Sequence, residues 1–240
     1  MNSLIKTLLA SVSVCAVAVS SAQAQSENIL NITSGTPGNF GATAGIGIDY
    51  GAHAAPTFWS QGAPVNGQSY FIDSFSVIKN NEDSTFENLW VGVYDAFSNN
   101  GLTEGDLGNF LGASAASQAW GAGETGETFT WTFDNLIFEA AEDQQLFFLF
   151  QESADARTTK LTVGEGEIQI QRLDGNNNIA NFGAAIINGG PAPGAGFQSL
   201  GRVPLTTVGI STIPEPGTYA ALFGLVALGV VALRRRSHVS

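Results

Sequence analysis

Residues 127–134 read "ETFTWTFD", and this stretch decides the fold class. Phe129, Trp131 and Phe133 alternate with three threonines. Successive side chains of a β-strand point to opposite faces of the sheet, so one face of this segment is apolar and the other is polar. The alternation predicts a strand that buries its aromatic face in a core and exposes its threonines to solvent, as strands of antiparallel sheets do.

Other apolar runs extend this prediction along the chain. Residues 146–150 read "LFFLF", which is apolar throughout and predicts a central strand covered on both faces. In "EIQIQ" (167–171), Ile168 and Ile170 share one face and the polar residues share the other. Helical patterns are nearly absent, and Gly, Asn, Ser and Thr separate the short apolar runs, which is typical of strands and turns.

The whole pattern predicts an all-β fold, a two-sheet β-sandwich of the jelly-roll type. The strands are expected at Asn28–Thr33, Tyr70–Lys79, Leu89–Tyr94, Phe110–Ala115, Glu127–Phe138, Leu146–Gln151, Lys160–Val163, Glu167–Leu173, Ala184–Ile187 and Leu205–Ile210. Residues 188–204 are rich in Pro and Gly and are interpreted as a long loop.

The charge balance limits the classes of partner. Residues 25–212 carry 20 acidic and five basic side chains, and the whole chain has a net charge of −12. Such a surface repels nucleic acid and anionic lipid, so a nucleic-acid partner is excluded, and divalent cations suit it better. Cys15 is the only cysteine and lies in the N-terminal apolar run, so the rest of the chain has neither disulfides nor thiolate metal sites.

The N-terminus has the three parts of a secretory signal peptide, which predicts a signal helix over residues 1–24. Lys6 supplies the positive charge, residues 8–19 form a short apolar run, and Ala22 and Ala24 form an A-x-A cleavage site. We therefore expect the exported chain to begin at Gln25 and residues 25–212 to form one extracellular all-β domain.

The C-terminus, residues 213–236, reads "IPEPGTYAALFGLVALGVVALRRR". As a helix, residues 218–233 would be about 24 Å long, which is short but feasible for a hydrocarbon core of about 30 Å. Arg234, Arg235 and Arg236 would stop it on the cytoplasmic side, with 237–240 as a cytoplasmic tail. The segment predicts a C-terminal transmembrane helix.

Pro214, Glu215 and Pro216 precede this helix and hold the chain extended, because proline restricts itself and the residue before it. This order of a Pro-Glu-Pro motif, a short apolar helix and an Arg cluster resembles the PEP-CTERM sorting signal of Gram-negative bacteria. The resemblance covers about the last 25 residues. It implies an inner-membrane-anchored precursor, recognition by an exosortase that removes the helix, and passage to the cell surface or an extracellular polysaccharide matrix.

Two further sets of residues are candidate binding sites in the domain itself. One loop offers several oxygen ligands of the kind that Ca²⁺ binds, without matching the EF-hand pattern; a solvated acidic hairpin loop is the alternative. Tryptophans in two loop-like segments are candidate glycan-stacking platforms, and aromatic plugs at the ends of the sandwich are the alternative. The calcium candidates are Asp95, Asn99, Glu104 and Asp106, and the glycan candidates are Trp59 and Trp120.

Patterns of catalytic chemistry are weak in this sequence. His53 is the only histidine before the tail, and neither a G-x-S-x-G nor an H-E-x-x-H motif occurs. The G-x-G-x-x-G match at 121–126 is interpreted as a turn, because a strand follows it where a dinucleotide site needs a helix. We therefore expect a non-enzymatic structural or adhesive protein. A carbohydrate-binding module is the alternative, and a glycan hydrolase using carboxylates such as Glu165 and Glu167 is the second alternative.

Overall fold

The computed structural model describes residues 27–33, 37–39, 45–49, 58–80, 86–97, 104–105, 109–141, 144–155, 168–173, 184–189, 197–199, 203–213 and 223–230. The signal segment, the Pro-Glu-Pro motif and the Arg cluster lie outside these residues, as do His53 and Glu165. Glu27–Ser211 make up one compact unit. The tail helix, residues 223–230, belongs to a second unit and is described by itself.

The described part of the chain is mostly β, as the alternating patterns predict. Its strands are β1 (Glu27–Ile32), β2 (Pro37–Asn39), β3 (Gly45–Asp49), β4 (Ser69–Ile78), β5 (Trp90–Phe97), β6 (Glu104–Gly105), β7 (Phe110–Ala113), β8 (Thr128–Glu139), β9 (Gln144–Gln151), β10 (Gln171–Leu173), β11 (Ala184–Gly189), β12 (Phe197–Ser199) and β13 (Thr206–Thr212).

Four short strands were not expected from the sequence. β2, β3 and β6 are two to five residues long and contain glycine, so they show no alternation that could reveal them. The interpretation of residues 188–204 as one loop is wrong, because this segment contains β12. The strand expected at Lys160–Val163 lies outside the described residues.

The strands form two large antiparallel sheets and one small one. The four-stranded sheet has the order β1-β13-β4-β8, and the seven-stranded sheet has the order β6-β12-β11-β3-β9-β5-β7. β10 and β2 form a separate pair. β9 pairs with β3 on one side and β5 on the other, and all five residues of its "LFFLF" run are buried. The prediction of a central, doubly covered strand is confirmed.

Aromatic side chains join the two large sheets in one core. The ring of Phe75 on β4 stacks on Phe148 of β9, with centroids 4.5 Å apart and planes 4° apart. Trp131 on β8 lies 5.8 Å from Phe150 on β9, and its Nε1 donates a hydrogen bond of 2.8 Å to the carbonyl oxygen of Leu89. The aromatic residues of "ETFTWTFD" are buried and its threonines are exposed, as predicted. The arrangement is β-sandwich-like.

The seven-stranded sheet cannot be flat. Its two edge strands are β6 and β7, which six interstrand steps of about 4.8 Å would place about 29 Å apart in a flat sheet. Only residues 106–109 connect Gly105 to Phe110, and this connection spans at most about 18 Å when fully extended. The sheet therefore curls, which brings its two edges towards each other.

The tail helix presents apolar side chains without a covering layer. Phe223 is 74% exposed, Leu225 68% and Leu228 67%. In the portion of the chain that the structure describes, no helix is both long and apolar enough to span a membrane. The helix expected over 218–233 extends at both ends into residues outside this portion, so its full length stays a prediction.

Candidate functional site

The two chain ends of the β-rich unit lie side by side in one sheet. β1 and β13 pair antiparallel in a register that runs from Glu27 opposite Ser211 to Ile32 opposite Thr206. β13 also lies next to β4, so it is held on both sides within the four-stranded sheet. The segment that leads into the tail therefore leaves from an inner strand, next to the first residue of β1.

Glu27, Asp73 and Ser211 meet at this end of the sheet. Asp73 lies at an irregularity of β4, where the register with β8 shifts. Ser211 is 3% exposed, and its Oγ donates a hydrogen bond of 3.1 Å to Oδ1 of Asp73. Burial raises the pKa of Asp73 above its ordinary value; the Ser211 hydrogen bond opposes this rise and the charge of Glu27 adds to it.

The outer edge of β1 is covered by the turn at residues 59–62. The side chain of Asn28 accepts a hydrogen bond of 2.9 Å from the backbone N–H of Gln61 and donates one of 2.7 Å to the carbonyl oxygen of Gly62. The Ser60 N–H donates to the carbonyl oxygen of Ile29, and Ser60 Oγ accepts from the Ile29 N–H. The Ser60 bonds occupy the backbone N–H and carbonyl groups of Ile29, with which another strand would pair.

Trp59 and Trp120 lie inside the molecule. Trp59 is 5% exposed, and its Nε1 is buried without a hydrogen-bond partner. Trp120 is fully buried in a 3-10 turn, 4.7 Å from the ring of Phe129. A ring that stacks on a sugar must offer a face to solvent, so these placements argue against the glycan-stacking role. Burial of both rings is what the alternative, aromatic plugs at the ends of the sandwich, requires.

Lys79 is a buried cation that the sequence analysis missed. It is 0% exposed, and its Nζ donates hydrogen bonds to the carbonyl oxygens of Trp120 and, at 2.7 Å, Gly123. The same Nζ lies 5.3 Å from the centre of the Trp120 ring and 5.9 Å from that of Phe129. Because Phe75, Val77 and Lys79 follow each other at every second position, the strand alternation itself places Lys79 on the core face.

The surroundings of Lys79 confirm that residues 121–126 form a turn. The Lys79 N–H donates to the carbonyl oxygen of Glu127, and the Gly126 N–H donates to the carbonyl oxygen of Lys79. Gly126 has a φ of +90°, which glycine adopts at low cost, and β8 begins two residues later, at Thr128. The ammonium group therefore holds this turn against the end of β4.

The structure describes two of the four calcium candidates, Asp95 and Glu104. Asp95 accepts a 2.6 Å hydrogen bond from the backbone N–H of Asn109 and a 3.4 Å bond from its side-chain amide, so its carboxylate closes the loop. Glu104 lies on β6, whereas Asn99 and Asp106 lie outside the described residues. In the described ranges no group of three or more His, Cys, Asp or Glu side chains is placed to hold a metal ion. The calcium site stays a prediction.

Comparison with known proteins bears on the tail. The family model for the PEP-CTERM protein-sorting motif matches residues 212–236. No curated protein matches the chain. A chain in the "Structure of infectious bursal disease virus Gx strain" is similar at 15% identity and a TM-score of 0.24, over 82% of this chain and 44% of the viral one. This chain thus spans less than half of the viral chain, and a TM-score this low adds nothing to the fold.

The match confirms the resemblance of the C-terminal segment. The chain carries a PEP-CTERM protein-sorting motif, the signal of an exported protein that an exosortase processes at the membrane. The matched region begins at Thr212, which is also the last residue of β13.

Proposed function

We propose that this chain, with its PEP-CTERM sorting motif, is a non-enzymatic protein of the cell surface or extracellular matrix with a structural or adhesive role. The observation that carries the proposal is the motif match at residues 212–236, which begins at the last residue of β13. The self-contained aromatic core of Glu27–Ser211 supports it, because an exported domain without disulfides depends on such a core for its stability. The two facing sheets also support a β-sandwich, and we propose the jelly-roll topology for it.

The proposed pathway has two membrane steps. The signal segment directs export and is removed after Ala24, and a helix over 218–233 then holds the precursor in the inner membrane. The exposed apolar side chains of residues 223–230 support this anchor, because lipid is a favourable environment for them. The Arg cluster marks the cytoplasmic end, and exosortase releases the protein from its helix.

Because the proposed destination is an extracellular matrix, the proposed partner is an extracellular polysaccharide. The buried rings of Trp59 and Trp120 leave no role for them in binding it. Contact with a polysaccharide would instead involve exposed polar side chains, such as the threonines of β8. Cofractionation of the processed protein with extracellular polysaccharide supports this destination, and retention of the processed protein in the membrane fraction contradicts it.

Mass spectrometry of the protein from cells with and without the exosortase tests the processing. We expect a C-terminus upstream of residue 218 in cells that have the enzyme, and a chain that ends at Ser240 in cells that lack it. Replacement of Glu215 by Ala should keep the Ser240 end in both. A chain that still ends at Ser240 in cells with an active exosortase overturns the proposal.

A further inference from the structure

An exposed Asn-Gly pair lies in the turn directly before β4. Asn66 and Gly67 are the central residues of this turn, in which the Gln68 N–H donates a hydrogen bond of 3.0 Å to the carbonyl oxygen of Val65. The φ of Gly67 is +79°, as the third residue of a type II turn requires. In the described part of the chain, no atom beyond the neighbouring residues lies within 4 Å of the place where a Cβ of Gly67 would be.

An Asn-Gly pair can deamidate without an enzyme. The backbone nitrogen of Gly67 would attack Cγ of Asn66 and close a succinimide ring, and the side-chain amide nitrogen would leave as ammonia with the proton that Gly67 gives up. Water then opens the ring to aspartate or to isoaspartate, in which the main chain runs through the side-chain carbons. Glycine favours this reaction because it has no Cβ to hinder the nitrogen or to restrict the backbone.

The fold withholds the attacking nitrogen. The Gly67 N–H donates a hydrogen bond of 2.6 Å to the carbonyl oxygen of Ala140, and the Ala140 N–H donates one of 2.9 Å to the carbonyl oxygen of Gln68. Ala140 is 1% exposed, so its carbonyl oxygen has little access to water as a replacement donor. Ring closure needs the Gly67 nitrogen to lose its proton and turn towards Asn66, so this bond must break first.

Tyr70 fixes the same turn from the core. Its hydroxyl accepts a hydrogen bond of 2.8 Å from the Val65 N–H and donates one of 2.9 Å to Oε1 of Gln68. Its ring is 3% exposed and stacks on Phe138, with the centroids 5.5 Å apart. Both ends of the turn are therefore attached to one buried side chain.

We propose that Asn66-Gly67 is a modification site that deamidates only when the turn at residues 65–68 opens. While the bonds to Ala140 and Tyr70 hold, Asn66 keeps its amide. Opening frees the Gly67 nitrogen, and the reaction makes the change permanent, because isoaspartate lengthens the main chain inside the turn. Either product also adds a negative charge to a chain whose net charge is already −12.

Site-resolved mass spectrometry of the purified full-length chain tests this protection. The chain is incubated folded, and unfolded in guanidinium chloride, in water enriched in heavy oxygen, and aspartate and isoaspartate are quantified in the peptide that contains residue 66. Because only the opened turn reacts, we expect the folded chain to deamidate there at least about tenfold more slowly than the unfolded chain. Equal rates overturn the proposal, as does an Asn66 that keeps its amide in the unfolded chain.

Tyr70→Phe tests the attachment of the turn without touching the reacting pair. It removes the hydroxyl and keeps the ring on Phe138, so we expect the folded-state rate at Asn66 to rise about two- to tenfold, the range for loss of one hydrogen bond. The unfolded-state rate should not change.

Tyr94→Phe is the matched control. Tyr94 is 1% exposed, and its hydroxyl lies 3.5 Å from Oε1 of Gln151, away from the turn. This variant should deamidate at Asn66 at the rate of the unaltered chain, and melting curves show that both variants are folded. If Tyr70→Phe reacts no faster than Tyr94→Phe, the turn does not control the reaction and the proposal is overturned.

Discussion

Replacement of Lys79 by methionine tests the buried cation most directly. Methionine keeps the length and apolar stem of the side chain but removes the ammonium group. The carbonyl oxygens of Trp120 and Gly123 then lose the hydrogen bonds that Nζ donates to them, and the rings of Trp120 and Phe129 lose their contact with a cation. The turn at residues 120–126 should therefore lose its attachment to the end of β4.

The expected loss of stability follows from opposing terms. Two hydrogen bonds from a charged donor contribute about 1.5–3 kcal/mol each. The Trp120 carbonyl oxygen keeps the bond of 3.2 Å that it accepts from the Gly123 N–H, whereas loss of the ammonium donor to the buried Gly123 carbonyl oxygen costs about 1–3 kcal/mol more. Removal of the ammonium group also relieves the cost of taking it out of water, which is several kcal/mol. We expect a net loss of about 3 kcal/mol in the free energy of unfolding, or about 6–12 °C in melting temperature for a unit of this size.

Urea unfolding followed by tryptophan fluorescence measures this change, because Trp120 reports on the affected turn. Lys79→Gln is the graded control, since its amide can donate hydrogen bonds to the same carbonyl oxygens without a charge, and its loss should be smaller than that of Lys79→Met. If Lys79→Met is as stable as the unaltered protein, the carbonyl bonds do not offset the desolvation of the ammonium group, and the assigned role is wrong.

Three further predictions concern single positions. Gly45→Ala should disrupt the pairing of β3 with β9, because the new Cβ would lie 2.3 Å from a backbone carbonyl oxygen. Gly92→Ala meets the side-chain amide of the buried Gln151, which can move only by giving up its hydrogen bonds to two carbonyl oxygens; because no backbone has to shift, it should cost less in urea unfolding. Because the folded-state pKa of Asp73 is raised, its stabilising contribution is complete below the unfolded value of 3.8 and is lost as the pH rises through the folded pKa. Asp73→Asn should thus be the more stable protein at pH 7 and lose this advantage in acid, and melting curves with a pH-independent difference would contradict this. Trp120→Ala should cost about 3–5 kcal/mol of folding stability, as for a core ring, and a cost below about 1 kcal/mol by urea unfolding would contradict its burial.

Some features of the fold depend on local patterns, and these were predictable. The alternation at 127–134 and the apolar run at 146–150 each place their side chains correctly, because the two faces of a strand follow from the backbone geometry of neighbouring residues. Lys79 obeys the same rule, since it continues the inward-facing series of Phe75 and Val77. The missed strands β2, β3 and β6 are short and contain glycine, so their pairing depends on partners elsewhere in the chain.

The placement of the loop tryptophans shows the limit of local reasoning. Trp59 and Trp120 lie in polar, glycine-containing segments that read as solvent-exposed loops. Their burial depends on which strands these loops cross: Trp59 bridges to Leu30 on β1, and Trp120 packs on Phe129 of β8. Leu30 is distant in sequence from Trp59, so their contact depends on the tertiary structure. Phe129 is near Trp120 in sequence, and a tight turn brings the two rings together.

By itself, the sequence determined the strand-rich character of this protein and its sorting address. The PEP-CTERM motif is a contiguous peptide that an enzyme reads directly, so its recognition requires no knowledge of the fold. The tertiary structure alone decided that Glu27 lies opposite Ser211 and that β13 is an inner strand of its sheet. The physical reason is that side-chain alternation is a property of one strand, whereas register and sheet order arise from pairing between segments as much as 184 positions apart in the chain.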